Sequence, residues 1–329
     1  MLIDQESVFY NPAAMALYHL NKRMSVTSPN GTSVPPVSDD FKLSGSSLTY
    51  SVLQDEHNEN ELSVGVFFQR LSGGKNVVTS TFGVRQTVVE PSSTAYGLSL
   101  AYSRNGLLNY AFGVTGRYLN TETFFPGNGS LESPATIETA NIILADVSAI
   151  AEFPLLGTRT GENATLIRVS VLQTIIGSRF VFTDLAQAEP APWINQSGIA
   201  VLTEWGDPSL RSISYLVSAE LYSDVSGPSQ QFNSSVLTGM EAGFFETFYL
   251  RFGATFDGDR YESTIFSYGA GFSSIGLLKL IESAQTRASK KRSLWQSIDL
   301  RFDIAKIPNQ NYGKLSQTNS WKVSLSWYK

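Results

Sequence analysis

The chain has 329 residues, a net charge of −5, 16% charged and 12% aromatic side chains, and no cysteine. Aromatics that frequent with charge that sparse exclude a disordered chain, and the missing thiol excludes disulfides, thiolate catalysis and Cys-ligated zinc. The acidic balance argues against general nucleic-acid binding, two histidines are too few for a multi-His metal site, and no run approaches the ~18 apolar residues of a membrane-crossing helix.

A mean hydropathy of −0.06 together with these counts fits a chain whose strands are apolar on one face and polar on the other. An all-β fold follows: a single transmembrane antiparallel β-barrel of the outer-membrane kind. A soluble β-protein is the alternative. The chain opens Met-Leu-Ile-Asp-Gln-Glu, without the basic and apolar regions of an export signal, so its start does not decide the compartment.

Strands are sought as alternation at period two, because a barrel strand puts every second side chain into lipid. After an N-terminal segment (1–20) come candidates at 22–28, 44–53 and 61–71. In the third, Leu62, Val64, Val66 and Phe68 oppose Glu61, Ser63, Gly65 and Gln69. The stretch 76–86 reads as an extension of that strand or as part of its loop. Alternation is clearest over 94–104, where Tyr96, Leu98, Leu100 and Tyr102 oppose Gly97, Ser99, Ala101 and Ser103. A tyrosine at each end of an apolar centre matches an aromatic girdle. Asn105-Gly106 is a strong hairpin signal, and 107–118 returns with Leu108, Tyr110, Phe112 and Val114 on one face. These runs exceed the ~5–6 residues of an ordinary strand and suit a tilted crossing of a bilayer.

Further strands follow at 140–153, 165–174, 197–205, 210–222, 235–244, 247–256 and 261–273. Along 247–256, Phe248, Leu250, Phe252, Ala254 and Phe256 oppose Arg251, Gly253 and Thr255. The segment 275–294 breaks the pattern. Leu277, Leu278, Leu280 and Ile281 recur near helical spacing before Lys290-Lys291-Arg292, which predicts either an amphipathic turn at a membrane interface or partner, or a solvated loop. Strands at 295–306 and 318–328 close the chain, giving about fourteen, with residues 21–329 forming the barrel. Connections after even strands are short (Asn105-Gly106, Gly206-Asp207-Pro208, Glu246-Thr247), and those after odd strands long (29–43, 72–93, 119–139, 175–196). The exceptions are 257–260 and 274–294. Short turns at one end and long loops at the other favour a barrel over a sandwich.

The segment Ser7-Val8-Phe9-Tyr10-Asn11-Pro12-Ala13-Ala14-Met15-Ala16 carries an Asn-Pro-Ala turn before the first strand, and in this it resembles the FadL superfamily of outer-membrane barrels. The stretches 93–123, 190–205 ("PAPWINQSGIAVLTEW") and 239–258 ("GMEAGFFETFYLRFGATFDG") look closer still to its PorV-like branch. The resemblance implies a fourteen-stranded barrel with a short N-terminal plug or hatch at the lumen. In FadL-like transporters that segment is a hatch for hydrophobic ligands, which leave sideways through the wall. PorV-like proteins instead serve the type IX secretion system as partners that hold cargo at the cell surface. The ten residues before Asn11 are few for a large hatch.

Each candidate site has a plain alternative. Asn11, Pro12 and Ala13 form either a fixed plug or a moving hatch. The inward charges Arg117, Arg251, Asp299, Arg301 and Asp303 line a polar path, or pair to fill the lumen. Asp299 and Asp303 are four residues apart, ~13 Å along a strand, beyond the ~6.5–9.5 Å of an inverting carboxylate pair. Ser72-Gly73-Gly74-Lys75 lacks the phosphate-loop spacing, and His19 and His57 stand alone. No nucleophile–base–acid set assembles, so neither an enzyme nor a cofactor is expected. Loop aromatics Phe124, Phe125, Phe180 and Phe182, with few charges nearby, are candidate partner-binding residues, since a few rigid rings supply most of an interface's energy; otherwise they belong to the outer girdle against lipopolysaccharide.

The expectation is an outer-membrane barrel that binds other protein chains in secretion or surface assembly. The alternative is a FadL-like transporter of hydrophobic molecules. Expected contacts are outer-membrane lipid, lipopolysaccharide, protein chains of such a complex and a hydrophobic ligand, with no nucleic acid.

Overall fold

The structure is a computed structural model. It describes residues 11–18, 22–31, 42–54, 59–72, 76–79, 85–89, 92–106, 108–125, 136–157, 162–177, 193–207, 212–226, 231–257, 264–284, 298–307 and 318–328. Helix α1 (Pro12–Tyr18) precedes β1 (Lys22–Gly31), β2 (Lys42–Gln54) and β3 (Asn60–Ser72). A separate pair, β4 (Asn76–Thr79) and β5 (Arg85–Val89), follows. Next come β6 (Ser92–Arg104), β7 (Asn109–Phe125), β8 (Thr136–Gly157), β9 (Asn163–Gly177), β10 (Trp193–Trp205), β11 (Ile213–Ser226), β12 (Gln231–Phe244), β13 (Phe248–Asp257) and β14 (Ile265–Ser273). Helix α2 (Ser274–Ala284) links β14 to β15 (Ile298–Ile307), and β16 (Thr318–Tyr328) ends the chain.

Fourteen of these strands close into one barrel, each antiparallel to its neighbours, with β16 paired to β1. Only β4 and β5 stand apart, as a two-stranded sheet in the connection between β3 and β6. The stretch 76–86 is therefore part of a loop rather than an extension of β3.

Alternation sets the inside and the outside. Leu98 is 62% exposed and Phe112 57%, while Ser99 between them in the same wall is fully buried. Tyr96, Phe252 and Leu325 point outward likewise. Serine and threonine line much of the inner face: Ser25, Thr27, Ser47, Thr49, Ser63, Ser324 and Ser326 are all buried. An apolar exterior around a polar interior is the reverse of a water-soluble sandwich, and it is what a bilayer requires.

Antiparallel order places the connections after β2, β6, β8, β10, β12 and β14 at one end, here the turn end, and the others at the opposite, loop end. The connection between β6 and β7 spans 105–108, not a two-residue hairpin; Gly106 N–H donates to Asn109 Oδ1 at 3.1 Å. At 244–247 the tight turn carries Phe245 and Glu246 at φ of 54° and 53°, left-handed positions that Asn-Gly fills more cheaply. Two of the long connections are shorter than the sequence implies. β7 and β8 stay paired out to Phe125↔Thr136, and β9 continues to Gly177. At the loop end β11 and β12 are joined by residues 227–230 alone.

Closing a tilted sheet requires the register to step around the ring, and the steps fall at three places on the turn end. β8 runs on to Gly157 although β7 starts opposite Glu152. β2 runs on to Gln54 although β1 meets it no further than Tyr50. β15 starts at Ile298 although β14 stops opposite Arg301.

Replacing Leu98 by Arg places a charge in hydrocarbon and is expected to lower unfolding stability by ~2–4 kcal/mol near the bilayer midplane, as measured by denaturant titration in vesicles. Ser99→Ala, on the lumen side of the same strand, should change it far less.

Candidate functional site

The lumen has two unlike walls. On one, α1 lies against β3, β6, β7 and β8. Its sequence PAAMALY explains the local fold: Pro suits the first helical turn, Ala, Met and Leu are strong helix formers, and Asn precedes them as a favoured cap. Ala14 N–H donates to the Asn11 carbonyl at 3.0 Å. Asn11-Pro12-Ala13 is thus the start of a helix, where the sequence suggested a turn.

The wall provides a seat for that helix. Ser63, Ala101, Gly113 and Ser148 are successive register partners across β3, β6, β7 and β8. None carries a large side chain, so the helix backbone approaches the strands closely. A Cβ on Gly113 would fall on the backbone of Pro12 and Ala13. Ser148 Oγ accepts the Ala13 N–H at 2.9 Å, satisfying one of the amides that a helix start leaves unpaired. Ser103 Oγ donates to the Ala16 carbonyl at 3.4 Å. Ala13 to Leu17 pack with Phe67, Ala101, Ala111 and Ile150 in a single apolar cluster, and every residue from Asn11 to Leu17 is buried.

Across the lumen, β12 to β16 carry a cluster of charges. Arg251 on β13 reaches Glu241 on β12 at 2.5 Å and Asp303 on β15 at 2.5 Å. Asp303 also takes Arg301 at 3.1 Å and Lys322 of β16 at 3.6 Å. The Arg301 guanidinium lies 4.5 Å above the Tyr249 ring, a cation–π contact. Arg251 and Asp303 meet across the intervening β14 because Gly271 is there: a Cβ at that point would collide with the Asp303 carboxylate.

The five inward charges expected from the sequence therefore divide. Arg251, Arg301 and Asp303 form one cluster. Arg117 pairs with Asp146 on β8, which also accepts Thr174 Oγ1 at 2.7 Å. Asp299 is engaged elsewhere: it accepts Ser273 Oγ at 2.8 Å and the Ile275 N–H at 3.2 Å, fixing the start of α2. Sequence reasoning missed Glu241, Tyr249, Asp146 and the buried Arg168–Glu152 pair at 2.8 Å. Each sits at an inward position of its strand, so the alternation held the signal, but the pairings depend on register.

Helix α2 occupies the first part of the predicted amphipathic segment; Lys290, Lys291 and Arg292 lie outside the described residues. Gly276 sits directly against the turn at Phe245 and Glu246, and Lys279 bonds Glu246 at 2.5 Å. Leu277 and Ile281 are exposed.

The loop aromatics contribute no geometry: the backbones of Phe124 and Phe125 end β7, their side chains lie outside the described residues, and so do Phe180 and Phe182 altogether. His19 and His57 are outside them as well. Among the described residues no group of acidic or histidine side chains is arranged to hold a metal ion.

No family model and no curated protein sequence matches the chain. Solved structures do. The toluene transporter TodX of Pseudomonas putida aligns with a TM-score of 0.52 at 10% identity, over 98% of this chain and 93% of that one. A deltaS2S3 mutant of TodX, described as a monoaromatic hydrocarbon channel, gives 0.51 at 11% identity, over 99% and 95%. A FadL homologue of Pseudomonas aeruginosa gives 0.47 at 10% identity, over 100% and 95%. The likeness is one of fold, which in this chain is a closed, fourteen-stranded antiparallel barrel.

Asp303 holds three cations, so Asp303→Asn leaves Arg251, Arg301 and Lys322 short of a counter-charge in a half-buried site. Loss of one partner from such a cluster is expected to cost about 3 kcal/mol in the same vesicle titration. Gly271→Val should destabilise in the same direction by forcing Asp303 off Arg251.

Proposed function

We propose that this chain is a bacterial outer-membrane channel for small hydrophobic molecules, with residues 1–20 as its plug. It is a conduit rather than an enzyme. The observation that carries this reading is the seating of α1: its apolar residues Ala13 to Leu17 are buried on a row of small residues of the inner wall, where Ser148 and Ser103 bond the backbone of Ala13 and Ala16. A helix seated on the wall chiefly through small apolar side chains is shaped to block a path and to be displaced from it. Displacing the helix would uncover Ala, Met and Leu side chains, an apolar surface for ligands of matching polarity. The likeness of fold to a toluene transporter supports this reading.

The secretion-partner role expected from the sequence is set aside as the main reading. It rested on the PorV-like resemblance, the short segment before Asn11 and the loop aromatics; the aromatics supply no surface among the described residues, and two matching structures with TM-scores above 0.5 are forms of TodX, a hydrocarbon channel. Asn11, Pro12 and Ala13 keep their proposed role, as the seated end of the plug. Arg251, Arg301 and Asp303 are assigned to filling and bracing the lumen, not to conduction. Outer-membrane lipid and lipopolysaccharide are the proposed surroundings.

Expression in Gram-negative cells that have no hydrocarbon channel should speed their uptake of radiolabelled toluene several-fold and leave entry of a pentose unchanged. Uptake no faster than in the parent cells rules the channel out. Recovery of stoichiometric protein chains with the solubilised barrel would restore the partner role.

A further inference from the structure

At the turn end the barrel wall steps at three places, and each step carries aliphatic side chains that nothing in the described structure covers. On β2 a bulge between Ser51 and Leu53 leaves Val52 and Leu53 both exposed. On β8 a second bulge, between Pro154 and Leu156, does the same for Leu155 and Leu156. Between β14 and β15, α2 presents Leu277 and Ile281 one turn apart, on the side away from its contacts with Glu246 and Asp299. Leu156 at 68% and Leu53 at 63% are the most exposed large apolar side chains among the described residues. Strand ends past an aromatic girdle ordinarily turn polar. Here Tyr50 is followed by Val52 and Leu53, and Phe153 by Leu155 and Leu156.

We infer that these three apolar projections are footings in the turn-side lipid leaflet, which set the depth and tilt of the barrel. Two observations select lipid as the occupant. First, the projections continue the lipid-facing surface: Leu53 pairs with outward Leu62, next to exposed Tyr50, and Leu156 follows exposed Phe153. Second, they are spread around the ring. β3, β6 and β7 separate β2 from β8; β9 to β13 separate β8 from α2; β16 and β1 separate β15 from β2. A folded partner covers one contiguous patch of roughly 800 Å², and cannot reach three sites so placed. A leaflet surrounds the barrel and touches all of them, taking up side chains whose burial from water is favourable. The bulges have a physical role in this account: each turns out one more side chain than a regular strand can at the rim. The inference is independent of what the lumen carries.

The chain has no cysteine, so single nitroxide labels report one site at a time. Leu53→Cys, Leu156→Cys and Leu277→Cys are labelled in the full chain and reconstituted in phosphatidylethanolamine–phosphatidylglycerol vesicles. Collision with oxygen relative to a water-soluble nickel chelate is then measured. Leu98→Cys is the lipid reference and exposed Asp207→Cys the water reference. Each of the three sites should give an oxygen-to-nickel ratio several-fold above that at Asp207. A ratio equal to that of Asp207 at any of them overturns the inference, whether water, the lumen or a missing protein partner is the cause. Should a label at Leu53 or Leu156 prevent folding, the neighbouring Val52 and Leu155 carry the same test.

Discussion

In hydrocarbon no water stands ready to pair a free amide or carbonyl, so every backbone polar group in the wall must find its partner in a neighbouring strand. The pairing of β16 with β1 satisfies that demand by leaving the sheet without an edge. Closure in turn fixes which side of each strand faces lipid. A one-residue slip anywhere would exchange the rows headed by Leu98 and Ser99, turning hydroxyls into the bilayer. Tilt and stagger follow from closure as well, and the uneven turn-end rim is where that stagger becomes visible.

Closure also creates an interior that has to be filled. A ring of this size has room for more than the side chains of its own wall, and the chain fills it in two chemically different ways. On the β3–β8 side small residues withdraw and a helix moves in; Gly113 is the position that permits backbone to lie on backbone. On the β12–β16 side long charged side chains extend inward and cancel one another, and Gly271 lets them do so across a strand. Absence of a side chain thus organises both walls. The helix is held by packing on small residues, with Ser148 and Ser103 bonding its backbone. The charged side is held by ion pairs that are costly to break. If one element moves, it is the helix.

Much of the fold was legible in the sequence because a barrel strand writes its orientation residue by residue, as 94–104 shows in Tyr96, Leu98, Leu100 and Tyr102. The count of fourteen and the placing of short and long connections follow from the same pattern. What stayed hidden depends on contacts between distant segments. That Arg251 meets Asp303 requires the register of three strands and a glycine in the middle one. That Asn11-Pro12-Ala13 begins a helix depends on a receptive wall far along the chain, since Ala13 finds Ser148, 135 residues on, and seven residues are too few to hold a helix alone. The short turn after Phe244 was legible from the strands on either side of it, but its left-handed residues Phe245 and Glu246 were not, since neither is Gly or Asn; Gly276 and Lys279 of α2 hold them from outside. The full length of β7 and β8 is not legible in the sequence because their ends, rich in Thr, Asn and Glu, lose the apolar alternation while the backbone ladder continues.

If α1 stands in the proposed path through the lumen, its close approach to Gly113 is what holds it there. Conductance of the purified barrel in a planar bilayer tests it most directly, with the natural chain beside Gly113→Val, whose side chain would fall on the helix backbone. The variant, folded and inserted, should pass ions through steps several-fold larger than those of the natural chain. Equal conductance from the two would contradict it, because the helix would then not stand in the path.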